Sequence, residues 1–123
     1  MSKFIDMIKL TDKSALESST LPQFTPLDFR GWKGISMQNS SLFMFLFDVE
    51  PDADKFPLHA DESEWMAYVI EGEGKLVADN ITCNEETEEI SFQQGDFISF
   101  APNTPHAWQP GSKKTKIIFC KQI

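Results

Sequence analysis

From Leu42 to the C-terminus the chain is a succession of short β-type runs, each closed by turn residues, and this pattern limits its fold more than any other feature. Leu42 to Val49 is a nearly continuous apolar run between Asn39-Ser40-Ser41 and Glu50-Pro51-Asp52. Trp65 to Ile70 follows, closed by Glu71-Gly72-Glu73-Gly74. Lys75 to Ala78 reads as a strand turning at Asp79-Asn80, with Ile81 to Cys83 pairing back, and Glu89 to Phe92 ends at Gln93-Gln94-Gly95. Phe97 to Phe100, Ala107 to Gln109 and Thr115 to Lys121 complete the set. Many short strands without a strong helical period predict an all-β sandwich or barrel with little helix.

Upstream the pattern is poorer. Phe4, Ile5, Met7, Ile8 and Leu10 precede a polar stretch with a helix-start signal at Thr11 or Asp12, and Pro22 and Pro26 then break regular structure. Leu27 to Met37 reads as a strand interrupted by Gly31 and Gly34. A chain of 123 residues suits one domain. The expected division is N-terminal strands or an arm over 1–37 and a barrel core over 38–123.

Charge and motif content exclude several functions. Lys and Arg number 11 against 19 Asp and Glu, a net charge of −8, so no basic stripe awaits a nucleic acid. The longest apolar run, Leu42 to Phe47, falls far short of the roughly 18 residues of a membrane span, and the N-terminus lacks the hydrophobic stretch of a secretory signal. A cytoplasmic protein without membrane contact is expected. Cys83 and Cys120 form no CxxC pair, and no phosphate-cradling glycine loop or GxSxG is present.

Two segments carry chemistry: HADESEWMAYVIEGEG from His59 to Gly74, and GDFISFAPNTPHAW from Gly95 to Trp108. Taken together they resemble the two conserved motifs of the cupin superfamily. The first family motif runs His, one residue, His, three or four residues, Glu, six residues, Gly. Aligned on Gly72, its three ligand slots fall on His59, Asp61 and Trp65. In the second motif Gly95-Asp96 opens a strand and a tight turn leads to His106. Asn103 stands where the family has a turn Gly, a change that Asn accepts because it tolerates the left-handed conformation. The resemblance implies a double-stranded β-helix, the jelly-roll barrel, with its site inside, and a homodimer, since cupins commonly pair.

In an extended strand His59, Asp61, Ser63 and Trp65 share one face, and Glu62 and Glu64 share the other. His59, Asp61 and His106 then make two imidazoles and a carboxylate, a ligand set for a divalent transition metal such as Fe, Mn, Ni or Zn. A bulge that shifted the register would turn Glu64 inward in place of Asp61. The chain has only two histidines, and both fall in motif slots, either as a live site or as remnants in a barrel that holds no metal. Trp65 and Trp108 either wall a small-molecule pocket or fill the barrel as core. Arg30, the only arginine, is a candidate for clamping a carboxylate with its planar fork, but if Phe29 faces inward Arg30 faces out, and the surface role is favoured.

Three functions remain open at this point. The first is a module that binds a small organic ligand in the barrel, with or without a divalent metal. The second is a metal-dependent oxygenase or isomerase. The third is a filled barrel that acts through its surface.

Overall fold

The computed structural model describes residues 22–80 and 85–123. Within them lie ten strands and no helix: β1 (Thr25–Pro26), β2 (Trp32–Gln38), β3 (Leu42–Val49), β4 (Phe56–His59), β5 (Trp65–Glu71), β6 (Glu73–Asn80), β7 (Glu85–Gln93), β8 (Phe97–Phe100), β9 (His106–Pro110) and β10 (Thr115–Gln122). They form two antiparallel sheets, in the orders β1-β2-β3-β10-β5-β8 and β4-β9-β6-β7. The last strand is inserted between β3 and β5, the jelly-roll arrangement that the motif resemblance implies. None of the described segments is a helix long and apolar enough to cross a membrane.

The two-residue period of the larger sheet explains its sequence. In β3, Phe43, Phe45, Phe47 and Val49 point inward while Leu42 and Met44 are exposed on the other side, so the run is apolar throughout although only half of it faces the core. Ile117 and Phe119 of β10 and Ala67 and Val69 of β5 continue the inner layer, each 7% exposed or less. From the smaller sheet, Trp108 reaches across to Phe47 and Phe119 at ring-centroid distances of 6.4 and 5.4 Å, closing the two sheets on one aromatic core. Edge-on contacts of this kind add stabilisation beyond simple burial, about 0.5–1.5 kcal/mol per pair.

Two local expectations are corrected. Leu27 to Gly31 is a turn rather than strand, and β2 starts at Trp32 and runs unbroken through Gly34. A Cβ at Gly34 would collide with the Phe45 ring, so glycine serves close packing there instead of ending the strand. The turn expected at Asp79-Asn80 is also absent: β6 continues through both residues, which pair with Glu86 and Glu85. Ile81 to Cys83, and the helix start at Thr11 or Asp12, lie outside the described residues.

Candidate functional site

The site is built on an irregularity between β4 and β9. Phe56 pairs with Trp108 and His59 with His106, so three steps along β4 match two along β9. The extra residue is a β-bulge. In a regular strand Phe56 and His59 would face opposite ways, but the bulge turns both rings inward, with centroids 4.7 Å apart. Pro57 lies in this stretch, and β4 is an edge strand, the part of a sheet that tolerates a residue without an N–H. A bulge does occur beside the first motif, but it acts ahead of His59, and Glu64 remains exposed.

The two imidazoles that result are 4.3 Å apart between centroids. His59 Nδ1 lies 2.8 Å from the Pro57 carbonyl and His106 Nδ1 lies 2.8 Å from the Thr104 carbonyl. Because a carbonyl only accepts, each Nδ1 carries the hydrogen, and the lone pair of each neutral ring is on Nε2. His106 is 8% exposed and packs its ring on Phe100 at 4.4 Å. Burial holds its pKa below the ordinary value, helped by the neighbouring His59 and opposed by the Thr104 bond and the charge of Asp61. The turn before it is fixed by Asn103, which adopts φ +60°, the left-handed conformation expected of it, and donates its N–H to the Asp61 carbonyl at 2.7 Å.

Asp61 reaches the site by a different route from the one its spacing implies. The strand ends at His59, and residues 60–64 bend away from extended structure. The Asp61 Oδ1 accepts the Ser63 N–H at 2.8 Å, a local turn of the kind short acidic side chains favour over a ladder. That backbone bond is the main reason its carboxyl titrates below the usual carboxylate value; burial acts the other way, while the charge of Lys121 and the Trp65 side chain reinforce it. Asp61 is therefore engaged by Ser63 and the Trp65 indole. Among the described residues no three His, Cys, Asp or Glu side chains gather as a metal-holding group. As packed, the histidines form a pair with two Nε2 atoms to offer, and the Asp61 carboxylate that lines the same cavity is held by Ser63. The set closes on a three-ligand metal centre only if Asp61 leaves its bond to Ser63.

His59, Asp61, Trp65, His106 and Trp108 all line one cavity of about 540 Å³. Trp108 is wall and core at once, being 1% exposed, whereas Trp65 is only half-buried. The strand pattern also brings in residues that the motifs do not contain. Phe43, Phe45 and Phe47 line the same cavity, and their alternation in LFMFLF was the available signal. Lys121 lies inside as the register partner of Phe43, its ammonium 4.9 Å from the Trp65 ring and 5.6 Å from that of Phe43. Arg30 takes the surface place predicted for it, bonding the Asp52 carbonyl at 2.8 Å and the Asp54 carboxylate at 3.1 Å.

Residues 45–120, well over half of the chain, match the family described as the cupin domain. The chain belongs to the cupin family. No curated protein sequence matches it. Among solved structures, this cupin is similar to an RmlC-like cupin from Shewanella frigidimarina, with 17% identity and a TM-score of 0.66 over 85% of this chain and 86% of that one. It is similar also to the polyketide cyclase RemF from Streptomyces resistomycificus, with 16% identity and a TM-score of 0.69 over 96% and 79%. A third is the oxalate decarboxylase of Bacillus subtilis, a protein with Mn(II) centres, at 15% identity and a TM-score of 0.69. That match covers 82% of this cupin but only 27% of the decarboxylase. Likeness at these identities establishes the shared barrel.

Proposed function

We propose that this cupin binds a small, largely apolar organic molecule inside its barrel. The observation that carries the reading is the cavity of about 540 Å³, whose walls are mainly aromatic and whose polar groups are few and convergent. Ligand sites in proteins are typically of this size and composition. The third reading, a barrel filled by its own side chains, loses its basis when such a space is left among the aromatics. A panel of small aromatic and aliphatic compounds tested by thermal unfolding should include members that raise the melting temperature, with the logarithm of their concentration once it exceeds the dissociation constant. A chemically broad panel without one such compound would count against the proposal.

A second reading is a metal-dependent enzyme, an oxygenase or isomerase, with His59, Asp61 and His106 as ligands to Fe, Mn, Ni or Zn. What favours it is the pairing of the two imidazoles in one cavity with both Nε2 atoms left to act. It requires Asp61 to give up Ser63 and Trp65 when an ion arrives. Elemental analysis of protein purified without a metal-affinity tag separates the readings, since the enzyme needs an ion and the binding module does not.

A further inference from the structure

The hydrogen-bond polarity of the histidine pair narrows what the cavity can hold. Each ring gives its Nδ1 hydrogen to the carbonyl two residues before it, at 2.8 Å in both cases. These carbonyls belong to the bulged edge strand and to the turn before β9, so the backbone itself fixes the tautomer. Both rings then present Nε2, and a neutral imidazole in this tautomer can only accept there. With centroids 4.3 Å apart and both rings on the cavity wall, two acceptors sit side by side in one space.

Aromatic rings flank the pair itself, while the Asp61 carboxylate and the Lys121 ammonium line the same cavity further along. Phe56 packs on His59 at 4.7 Å, and Phe100 on His106 at 4.4 Å. Trp65 and Trp108 line the same cavity. A ligand that brought only an ether or carbonyl oxygen to this place would set lone pairs against lone pairs, and both imidazoles would lose their water without gaining a bond. One with a hydroxyl hydrogen would satisfy the acceptors and lay its ring on the aromatic walls. Resting on the small-molecule reading above, we propose that the barrel selects an aromatic compound bearing a hydroxyl group, a phenol in the chemical sense, whose O–H is received by His59 and His106.

A matched pair of probes tests this: 2-naphthol and its methyl ether, 2-methoxynaphthalene, which share a ring system and differ in the donor. Binding is measured by titration calorimetry on protein freed of metal with a chelator. The naphthol should bind roughly tenfold to a hundredfold more tightly, the range that follows from leaving buried acceptors unpaired. His59→Phe keeps an aromatic ring on a half-buried edge strand and so should fold; it should remove most of the preference while leaving the ether's affinity nearly unchanged. His59→Phe combined with His106→Phe should bring the ratio close to one. Equal binding of both probes to the wild type overturns the inference and leaves the small-molecule reading standing. Failure of both probes to bind at millimolar concentration overturns it together with its claim on that reading. A preference that survives His59→Phe and the double variant, or that appears only when a divalent ion is added back, overturns it as well.

Discussion

His59 and His106 are direct register partners across β4 and β9, and their rings meet at 4.3 Å although they lie in separate motifs of the sequence. The contact depends on the bulge that turns His59 to the side of Phe56. It also places a half-buried imidazole against a buried one, with different consequences for each.

The first consequence is a pH dependence of stability. Burial lowers the pKa of folded His106 below its ordinary 6.5, so as pH falls the unfolded chain takes up this proton first. The contribution is full above the ordinary value and is lost as pH falls through the lowered one. Asp61 behaves in the same sense further down, below its ordinary 3.8. Between pH 7 and 5 the wild type should therefore lose more unfolding free energy in urea than His106→Gln does. Comparing the two cancels the general charge effects of a chain with net charge −8. Parallel losses in both proteins would show that His106 is not held neutral by the fold.

Gly72 and Gly95 give a second test, because they share a backbone conformation and differ in their surroundings. Their φ angles are +90° and +93°. A Cβ on Gly95 would meet nothing within 4 Å, whereas one on Gly72 would lie 2.5 Å from the Lys114 carbonyl and press on Thr115. Gly95→Ala should cost about 1–2 kcal/mol, the conformational term alone. Gly72→Ala should cost clearly more, since backbone must move. Equal midpoints in chemical denaturation would contradict the assignment of Gly72 to a packed turn.

The two cavity tryptophans should separate in the same kind of experiment. Trp108 packs on Phe92 at 5.5 Å, Phe119 at 5.4 Å and Phe100 at 5.9 Å, so Trp108→Ala should cost about 3–5 kcal/mol. Trp65, half-buried on the cavity wall, should cost less than about half of that when cut to Ala, with its main effect on ligand affinity. A Trp65→Ala variant as unstable as Trp108→Ala would make both residues core.

How much of this was legible depended on which force decided each segment. β3 and β8 have the bounds read from the sequence, because apolar runs between strong turn signals leave the chain one choice. Both histidines were found by motif spacing, which survives the bulge because it counts residues and not faces. Asp61 was reached by a wrong route: alternation fails once its carboxylate takes the Ser63 N–H and the strand stops. The Asp79-Asn80 turn failed similarly, since cross-strand pairing with Glu85 and Glu86 overrode the turn preference of the dipeptide. Lys121 was not singled out, although alternation along the last strand places it on the inner face with Ile117 and Phe119; its charge argued for the surface instead.

The expected homodimer gains a surface to test. Met37 pairs with Met44, Met44 with Cys120, and Cys120 with Met66, so four sulfur side chains form a row across the outer face of the larger sheet. The three methionines are 47%, 42% and 58% exposed. Adaptable thioethers on an open sheet suit a self-complementary contact. Sedimentation at micromolar concentration should give a dimer for the wild type and a monomer for Met44→Glu, with unchanged far-ultraviolet circular dichroism. A wild-type monomer, or a dimer indifferent to Met44→Glu, would move the contact elsewhere or remove it.

Trp65 decides what the histidine pair can become. It opens β5 with its side chain in the same cavity as both imidazoles, and it helps to engage the Asp61 carboxylate. Trp65→Glu removes that restraint on Asp61 and supplies a carboxylate at the slot where the cupin motif has one. Two imidazoles and a carboxylate are a sound set for a first-row divalent ion, so the variant should retain about one Zn or Mn per chain after dialysis, measured by elemental analysis. Occupancy should fall as pH drops through the histidine range, because the ligands must be neutral to bind. Wild type treated identically should hold much less. Should wild type already carry a full ion, Asp61 can leave its turn and the metal-dependent reading gains; should the variant carry no more than wild type, a carboxylate at position 65 does not reach the pair and the slot assignment fails.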